Sequence, residues 1–527
     1  MAGAQRFLIA IDLGTSGPKV ALATATGAIV AHEVGKNQTH FSPDGGAEQD
    51  PDEWWSSIAE CIRRLLARGI ATSDDVVAIC CSTHWSGTVA VGRDGRPLCP
   101  AHIWMDTRGS KLVRELSGGP IRISGYGVGK VLKWVRLTGG APAHSGKDSL
   151  AHILYLKHAR PEIYAAAQLL LEPKDYLNYR MTGRAAASYD SIILHWLTDN
   201  RDPNNVRYHP DLLRLTGVDR NKLPELRPAT SILGTLTPQA AAELGLSTAV
   251  QVVTGTPDVQ AAAIGSGAVR DFEPHLCVGT SSWISCHVPY KKTDLFNNLA
   301  SLPSPIPGRY FVANDQETAG ICLTFLRDNV LWHRDAVSDA APPADVLQKF
   351  DQAAAEVPAG SEKLIFTPWL FGERTPIEDA TVRGGFHNLS MHHDRRHLVR
   401  AVLEGVAFNA RWLLGAVEKF VDRRLDHIRF IGGGAQSELW CQIFADVLDR
   451  TIEQVRDPLQ SNVRGAALLG AAALGNIRFD QIAEQVPLAR SFAPDGRTRA
   501  IYDELFGAFV DIYRRNKTLY ARLNAAH

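Results

Sequence analysis

A chain of 527 residues is too long for a single hydrophobic core, so two or more domains are expected. Its 56 Lys and Arg balance its 56 Asp and Glu, and 45% of its residues are hydrophobic. This balance excludes the basic excess of a nucleic-acid binder and the polybasic surface of a membrane-attached protein, and no apolar run of about 18 residues is present to cross a bilayer.

In chain order, residues 7–12 and 18–24 read as strands joined by a Gly-Thr-Ser-Gly turn, and residues 27–34 as a third strand. Asp50-Pro51-Asp52-Glu53 opens a helix, with Asp50 as N-cap, Pro51 at N1 and Glu53 at N3. Residues 75–82 form a continuous apolar run, the mark of a buried strand. Arg93-Asp94-Gly95-Arg96 turns a hairpin. Between 110 and 245, helical patterns at 149–160 and 162–181 are separated by polar loops, and the stretch reads as an insertion that shapes a substrate cleft. A strand at 250–255 leads through Pro257 to Asp258 and a helix of small residues.

The second half restarts with strands near 276–288 and 309–314 and helices around 316–330, 395–420 and 437–449. A strand at 427–431 ends at Gly432-Gly433-Gly434. Residues 462–474 form an Ala- and Gly-rich helix suited to close packing, and 499–524 an amphipathic tail helix. Strands alternating with helices argue α/β architecture with mixed sheets, and the halves repeat architecture rather than sequence. The eight scattered cysteines lack any C-x-x-C pair, which fits a reducing compartment. With no signal-peptide pattern at the N-terminus, a cytoplasmic location is expected.

Chemistry concentrates at strand ends. Asp12-Leu13-Gly14-Thr15-Ser16, with Lys19, places a carboxylate beside a turn of small residues, and Gly279-Thr280-Ser281 repeats the turn half a chain later. Such turns close backbone N–H groups and hydroxyls around phosphate oxygens, and a hard cation on those phosphates needs a carboxylate such as Asp12. Alone, the first turn is equally an ordinary hairpin; its recurrence suggests a nucleotide held between two similar domains. Asp258 reads either as a helix N-cap or as a general base at a sheet's C-terminal edge. His84 and Trp85 end a strand, where a lone His is usually structural but a His-Trp pair could hold a sugar by hydrogen bonding and stacking, and Trp104 with Asp106 has the same character. Gly433 and Gly434 allow close approach to a ligand, or only a tight connection. Gly125 to Lys130 lacks P-loop spacing, Ser86 lacks a nucleophile elbow, and no metal-ligand cluster is expected.

From residue 6 to 475 these motifs, in this order, resemble the FGGY carbohydrate kinases, and most of all the xylulokinases. The resemblance rests on 10–16, Glu48-Gln49-Asp50-Pro51, Trp104-Met105-Asp106-Thr107-Arg108, Glu172-Pro173-Lys174-Asp175, Gly279-Thr280-Ser281, Gly372-Glu373-Arg374-Thr375-Pro376 and Gly432-Gly433-Gly434-Ala435. It implies two actin/hexokinase-like (ribonuclease H-like) domains, 1–265 and 266–476, with sugar and MgATP between them and a helical tail at 477–527. It implies Asp258 as catalytic base, Asp12 as the Mg²⁺ carboxylate, and Thr15, Ser16, Lys19 and Thr280 at phosphates, with Gly14 and Gly279 in their turns. Gly320, Gly434 and Ser437, with Gly433, fall where the nucleotide is held, and His84 matches the substrate histidine.

The reaction implied is phosphorylation of a primary hydroxyl of a small ketose, D-xylulose first, with ribulose, a polyol such as erythritol, a non-catalytic sugar-binding regulator and an actin-like ATPase or chaperone-like relative as alternatives. A homodimer is the family expectation. Four departures touch the pattern: Val259 where Asn is usual, 82–87 in place of Gln-Met-His-Gly, Tyr155 near an expected Trp, and Asn388 where Gly is usual.

Overall fold

The computed structural model describes residues 6–123 and 125–524. Two mixed sheets organise it. The first runs in the order β5 (Ile232–Thr235), β6 (Gln251–Pro257), β4 (Val76–Thr83), β1 (Phe7–Gly14), β2 (Gly17–Thr24), β3 (Ile29–Val34). Strands β6, β4 and β1 are parallel; the outer three pair antiparallel. The second runs β8 (Ser282–Ser285), β7 (His275–Val278), β9 (His427–Ile431), β10 (Thr451–Val455), β11 (Leu488–Phe492), with β7, β9 and β10 parallel. Each half therefore has three adjacent parallel strands whose C-terminal ends leave the sheet together, the edge at which open α/β sheets place ligands.

Alternation along β1 decides what covers the first sheet. Ile9, Ile11 and Leu13 pack with Trp54, Trp55 and Ile58 of α1 (Pro51–Ala67). Leu8 and Ala10, with Ala21, Ala23, Ala78 and Cys80, face the opposite way. On that side lies α4 (Ser461–Ala473), contributed by the second half of the chain, whose Val463, Ala466, Ala467 and Leu469 complete the core. In return α2 (Asp258–Ser266), which begins in the first sheet, reaches strands of the second. The two helices cross through glycines. A Cβ on Gly265 would stand 1.7 Å from the Ser461 carbonyl oxygen, and one on Gly465 1.8 Å from that of Ala261. The rest of the second half packs on α3 (Arg395–Val421) and α5 (Arg499–Asn524).

Several expectations meet corrections. Asp50 caps α1 by accepting from the Asp52 N–H at 2.9 Å, but Glu53 makes no capping box; its carboxylate takes the Gln38 N–H instead. The 162–181 pattern is broken at Leu169–Leu171, which pairs antiparallel with Val89–Val91, before Pro173 opens a new helix. The 316–330 helix shortens to Ile321–Phe325, continued by a π turn at Leu326–Leu331, because Gln316 is bridged to Ser282. The tail is not wholly helical: β11 forms the edge of the second sheet against β10 before α5 begins. Asn388, at a position where glycine is usual, has φ 65° and donates from Nδ2 to the Lys363 carbonyl, a conformation Asn tolerates better than most residues. No helix of the described residues is long and apolar enough to cross a membrane.

The crossing sets a stability test. Gly465→Ala is expected to lower unfolding stability by about 3 kcal/mol, since the added methyl meets backbone rather than a side chain that can move. Thermal and urea melts against an Ala471→Gly control on the same helix check this; a Gly465→Ala protein as stable as the parent refutes it.

Candidate active site

Register brings the acidic residues together. Asp12 pairs with Ser82 and Leu13 with Thr83 across β1 and β4, and Thr83 pairs with Pro257 across β4 and β6. Asp12 and Asp258 thus stand at two strand ends separated by one strand. A bulge sets the second of them. Gly255 has φ 76°, and the β6–β4 register shifts between Val253 and Thr256. A Cβ there would lie 2.1 Å from the Cys81 carbonyl oxygen, so only glycine lets the strand bend and re-aim Pro257-Asp258.

Both carboxylates are perturbed. Burial pushes Asp12 up to about 6, opposed by the charge of Lys19 and by the nearby Ser82 and Asn462 side chains. Desolvation, then repulsion from Asp12, pushes Asp258 up to about 7, opposed by the backbone N–H groups of Val259 and Trp85. One oxygen of Asp12 is buried without a partner. A buried carboxylate oxygen without a partner, close enough to a second carboxylate to raise its proton affinity, fits a divalent cation, and Asp12 could hold one. Lys19 donates to the Leu459 carbonyl next to α4, so helix and hairpin meet at this point.

Opposite lies the second sheet's edge. Gly279 and Thr280 follow β7, and Gly432 to Gly434 follow β9, its parallel neighbour. Gly320 backs the first turn: its N–H donates to the Gly279 carbonyl at 2.8 Å, and a Cβ there would lie 2.5 Å from that oxygen. Added carbons on Gly14, Gly279 and Gly433 meet nothing closer than 3.5 Å, so these turns have free space on their open side. Turns with open space and free backbone N–H groups are the kind that can close around phosphate oxygens.

The other expected residues divide. The Trp104 indole donates to the Thr15 hydroxyl at 3.0 Å, and Ser16 is exposed at the hairpin tip. Trp85 presents its N–H to Asp258 and its indole to the Ser191 carbonyl. His84, 2% exposed, lies beneath the cleft, with Nδ1 3.2 Å from the Leu13 carbonyl and its ring edge-on to Trp54. Asp106 is fully buried; Arg108 and the Ala47 N–H occupy its carboxylate, so it anchors Arg108 rather than facing the cleft. The Ser437 hydroxyl caps a helix by accepting from the Trp440 N–H and also meets the Asp351 carboxylate.

Four residues that the motifs did not single out as a group bridge the domains. Lys147 of the insertion pairs with Glu317 at 3.6 Å, and Arg374 pairs with Glu317 at 2.8 Å and Asp315 at 3.5 Å. Lys147 also lies over the Trp104 ring. The available signal was the cluster Asp315-Gln316-Glu317 just beyond strand Tyr310–Ala313, a carboxylate pair at another strand end. The sequence holds no metal-ligand spacing, but the fold brings Glu362 together with His392 and His393, and Glu48 with His102 and Asp106, each with ligand atoms within 4.8 Å of one another.

This constellation belongs to a recognisable group of enzymes. The N-terminal domain pattern of the FGGY family of carbohydrate kinases matches residues 7–265, and its C-terminal domain pattern matches residues 275–474. The chain belongs to the FGGY family. It is a carbohydrate kinase with the two-domain fold of that family. It is 27% identical over 522 residues to a xylulose kinase of Staphylococcus epidermidis, covering 98% of this chain and 99% of that one. It is 26% identical over 526 residues to a gluconokinase of Bacillus subtilis, covering 98% and 97%. A ligand-bound xylulose kinase structure from Lactobacillus acidophilus superposes with a TM-score of 0.86 over 98% of this chain and all of that one; at 24% identity it speaks for the fold.

Under the floor of this kinase's first domain lies a buried histidine group. His102 and His152 stack edge to face, His195 Nδ1 is 3.5 Å from Glu172, and burial holds all three well below the usual range, His152 at about 4. In the unfolded chain each titrates near 6.5, so stability present above that pH is lost as pH falls toward 4. His152→Gln removes one such site. Between pH 7.5 and 5.5 the variant should gain about 1.4 kcal/mol relative to the parent in urea unfolding, and parallel pH profiles refute the assignment.

Proposed function

We propose that this kinase transfers the γ-phosphoryl group of ATP to a primary hydroxyl of a small ketose, with D-xylulose as the first candidate. The observation that carries the reading is the Asp12–Asp258 pair facing a second Gly-Thr turn across the cleft. Phosphoryl transfer demands positioning and charge stabilisation more than covalent chemistry from the protein. Asp258 is placed to accept the hydroxyl proton as the oxygen attacks. Its elevated proton affinity suits that task, and the Val259 and Trp85 N–H groups orient it. Thr15, Ser16, Lys19 and Thr280 would line the phosphates, and Asp12 would hold Mg²⁺. Bound there, the ion neutralises charge on the transferring group. Gly320, Gly433, Gly434 and Ser437 border the nucleotide side, while Trp85 and Trp104 form the sugar wall.

The sugar side departs from the xylulokinase pattern in two places. Val259 offers no amide beside the base, and His84 is turned under the floor with Nδ1 on Leu13. A site that hydrogen-bonds hydroxyls discriminates steeply, so these changes bear on which sugar is used. A sugar acid is the second reading. It is favoured by the gluconokinase relative.

Coupled ADP release with MgATP tests both readings on D-xylulose, D-ribulose, erythritol and D-gluconate. Turnover on D-xylulose, reduced about 10²- to 10⁴-fold in Asp258→Asn at unchanged melting temperature, is the expected outcome. Turnover on D-gluconate alone would replace ketose by sugar acid, and an Asp258→Asn enzyme at parental rate would remove the base assignment.

A further inference from the structure

Ser390-Met391-His392-His393-Asp394-Arg395-Arg396-His397 carries three imidazoles within six residues, and phosphoryl transfer uses none of them. His392 and His393 lie in the loop before α3, and His397 on its first turn. Facing them is Glu362, in the turn that precedes the strand Ile365–Thr367. Its Oε2 is 3.1 Å from His392 Nε2 and 3.7 Å from His397 Nε2. His393 completes the group: ligand atoms of Glu362, His392 and His393 lie within 4.8 Å of one another, and its ring centroid is 4.3 Å from that of His392 and 5.2 Å from that of His397.

We propose that Glu362, His392, His393 and His397 form a surface site for a divalent transition metal of the Zn²⁺ class, clasping the 360–364 turn to the start of α3. Three features carry this. The first is the donor set. Imidazoles with one carboxylate suit Zn²⁺ and its first-row neighbours, whereas Mg²⁺ and Ca²⁺ require oxygen donors. The second is spacing. Two donors held about 2.0–2.1 Å from one tetrahedral ion lie about 3.4 Å apart, and the two Glu362–imidazole distances bracket that value. The third is orientation. His397 Nδ1 is 2.9 Å from Asp394 Oδ1, and the Asp394 N–H approaches the same nitrogen at 3.2 Å. Metal binding at Nε2 would make Nδ1 the protonated nitrogen, and its N–H would then donate to the anionic Asp394 oxygen, the carboxylate–imidazole pairing that aligns metal-bound histidines. His393 is the ligand that must turn, because its Nδ1 accepts the Ser390 N–H and its Nε2 faces the Glu362 carbonyl.

The second cluster shows by contrast what an already neutralised group looks like. Around Glu48, His102 and Asp106, the Arg108 guanidinium donates to both carboxylates and fills the place of a cation. Among the described residues, Glu362 pairs with no Lys or Arg; its ion-pair partners are His392 and His397. Lys363, its neighbour in sequence, pairs with Glu504 at 2.7 Å, and Arg396 is spent on Asp394 and Glu356.

Binding here would act on stability rather than on chemistry. Ser361, Glu362 and Lys363 have φ of 49°, 49° and 69°, and the turn is anchored to Glu404 of α3 through the Gly360 N–H at 3.0 Å and the Ser361 hydroxyl at 2.9 Å. An ion on Glu362 and His397 adds a second link between turn and helix, and a ligand bound by the folded state alone raises its stability by mass action.

The test uses tag-free, chelator-stripped full-length protein titrated with ZnCl₂ alone. Calorimetry should give one Zn²⁺ per chain with a concentration-dependent rise in melting temperature, and Co²⁺ in its place should give the visible absorption of a nitrogen- and oxygen-ligated ion. Glu362→Gln and the double variant His392→Ala/His393→Ala should each weaken Zn²⁺ binding about tenfold or more and remove the thermal shift. Their metal-free melting temperatures and ADP-release rates should match the parent. Parental affinity in both variants would place any bound zinc elsewhere, and no one-to-one binding by the parent would overturn the proposal. Either result leaves the kinase reading untouched, because the ADP-release assay reports on that separately.

Discussion

Everything in this kinase depends on two helices crossing at backbone contact. α2 leaves the first sheet at Asp258 and runs to the second, while α4 comes from the second half of the chain and covers the first sheet. At Gly265 and Gly465 neither helix has room for a methyl group. Close helix packing of this kind is driven by shape and dispersion, and it requires small residues at the contact. Ala10, Ala21, Ala23 and Ala78 on the sheet and Ala466 and Ala467 on α4 extend the same small-residue surface. Because α2 starts with the proposed base, the crossing also fixes where Asp258 stands relative to the second domain.

The cleft that results is an electrostatic device. Two carboxylates are held close in a desolvated strand-end cluster, and both are pushed toward neutrality in the absence of a cation. Such an arrangement is unfavourable by itself and becomes favourable when positive charge arrives, which couples folding of the site to its ligands. On the far side, Lys147, Glu317, Arg374 and Asp315 form a chain of alternating charge between the domains. Burial pushes Asp315 up to about 6 although Arg374 pulls it down, so the pairing does not fully offset its desolvation. Of its four members Lys147 belongs to the first domain and the other three to the second, so relative movement of the domains alters the Lys147–Glu317 contact.

The substrate side illustrates how family membership and specificity separate. The proposed phosphate turns rely on backbone N–H groups and glycine space. The sugar wall relies on particular side chains, and there this chain diverges at Val259 and 82–87. Relatives of similar identity carry the names xylulose kinase and gluconokinase. Whole-chain similarity therefore fixes the reaction class while leaving the acceptor to a few side chains.

The sequence by itself determined the class of the protein and the parts of the site that are local. Alternating apolar runs placed β1, β4, β6 and β9 within about two residues, and the Gly-Thr turns and Asp258 marked their ends, since strand period, turn residues and caps act over a few positions. Where long-range packing decided, the same reasoning failed. Leu169–Leu171 became a strand because Val89–Val91 was there to pair with it, and Glu53 gave up its capping box to the Gln38 N–H. Asp106 and His84 looked like site residues, yet Arg108 and Trp54 draw them inward. The Lys147–Glu317–Arg374 bridge and the Glu362–histidine group join residues dozens to hundreds of positions apart, so local patterns held only parts of each: Asp315 with Glu317, and His392, His393 and His397. Only the tertiary structure decided these contacts, because a charge or an imidazole takes its role from what the folded chain brings within a few ångströms of it.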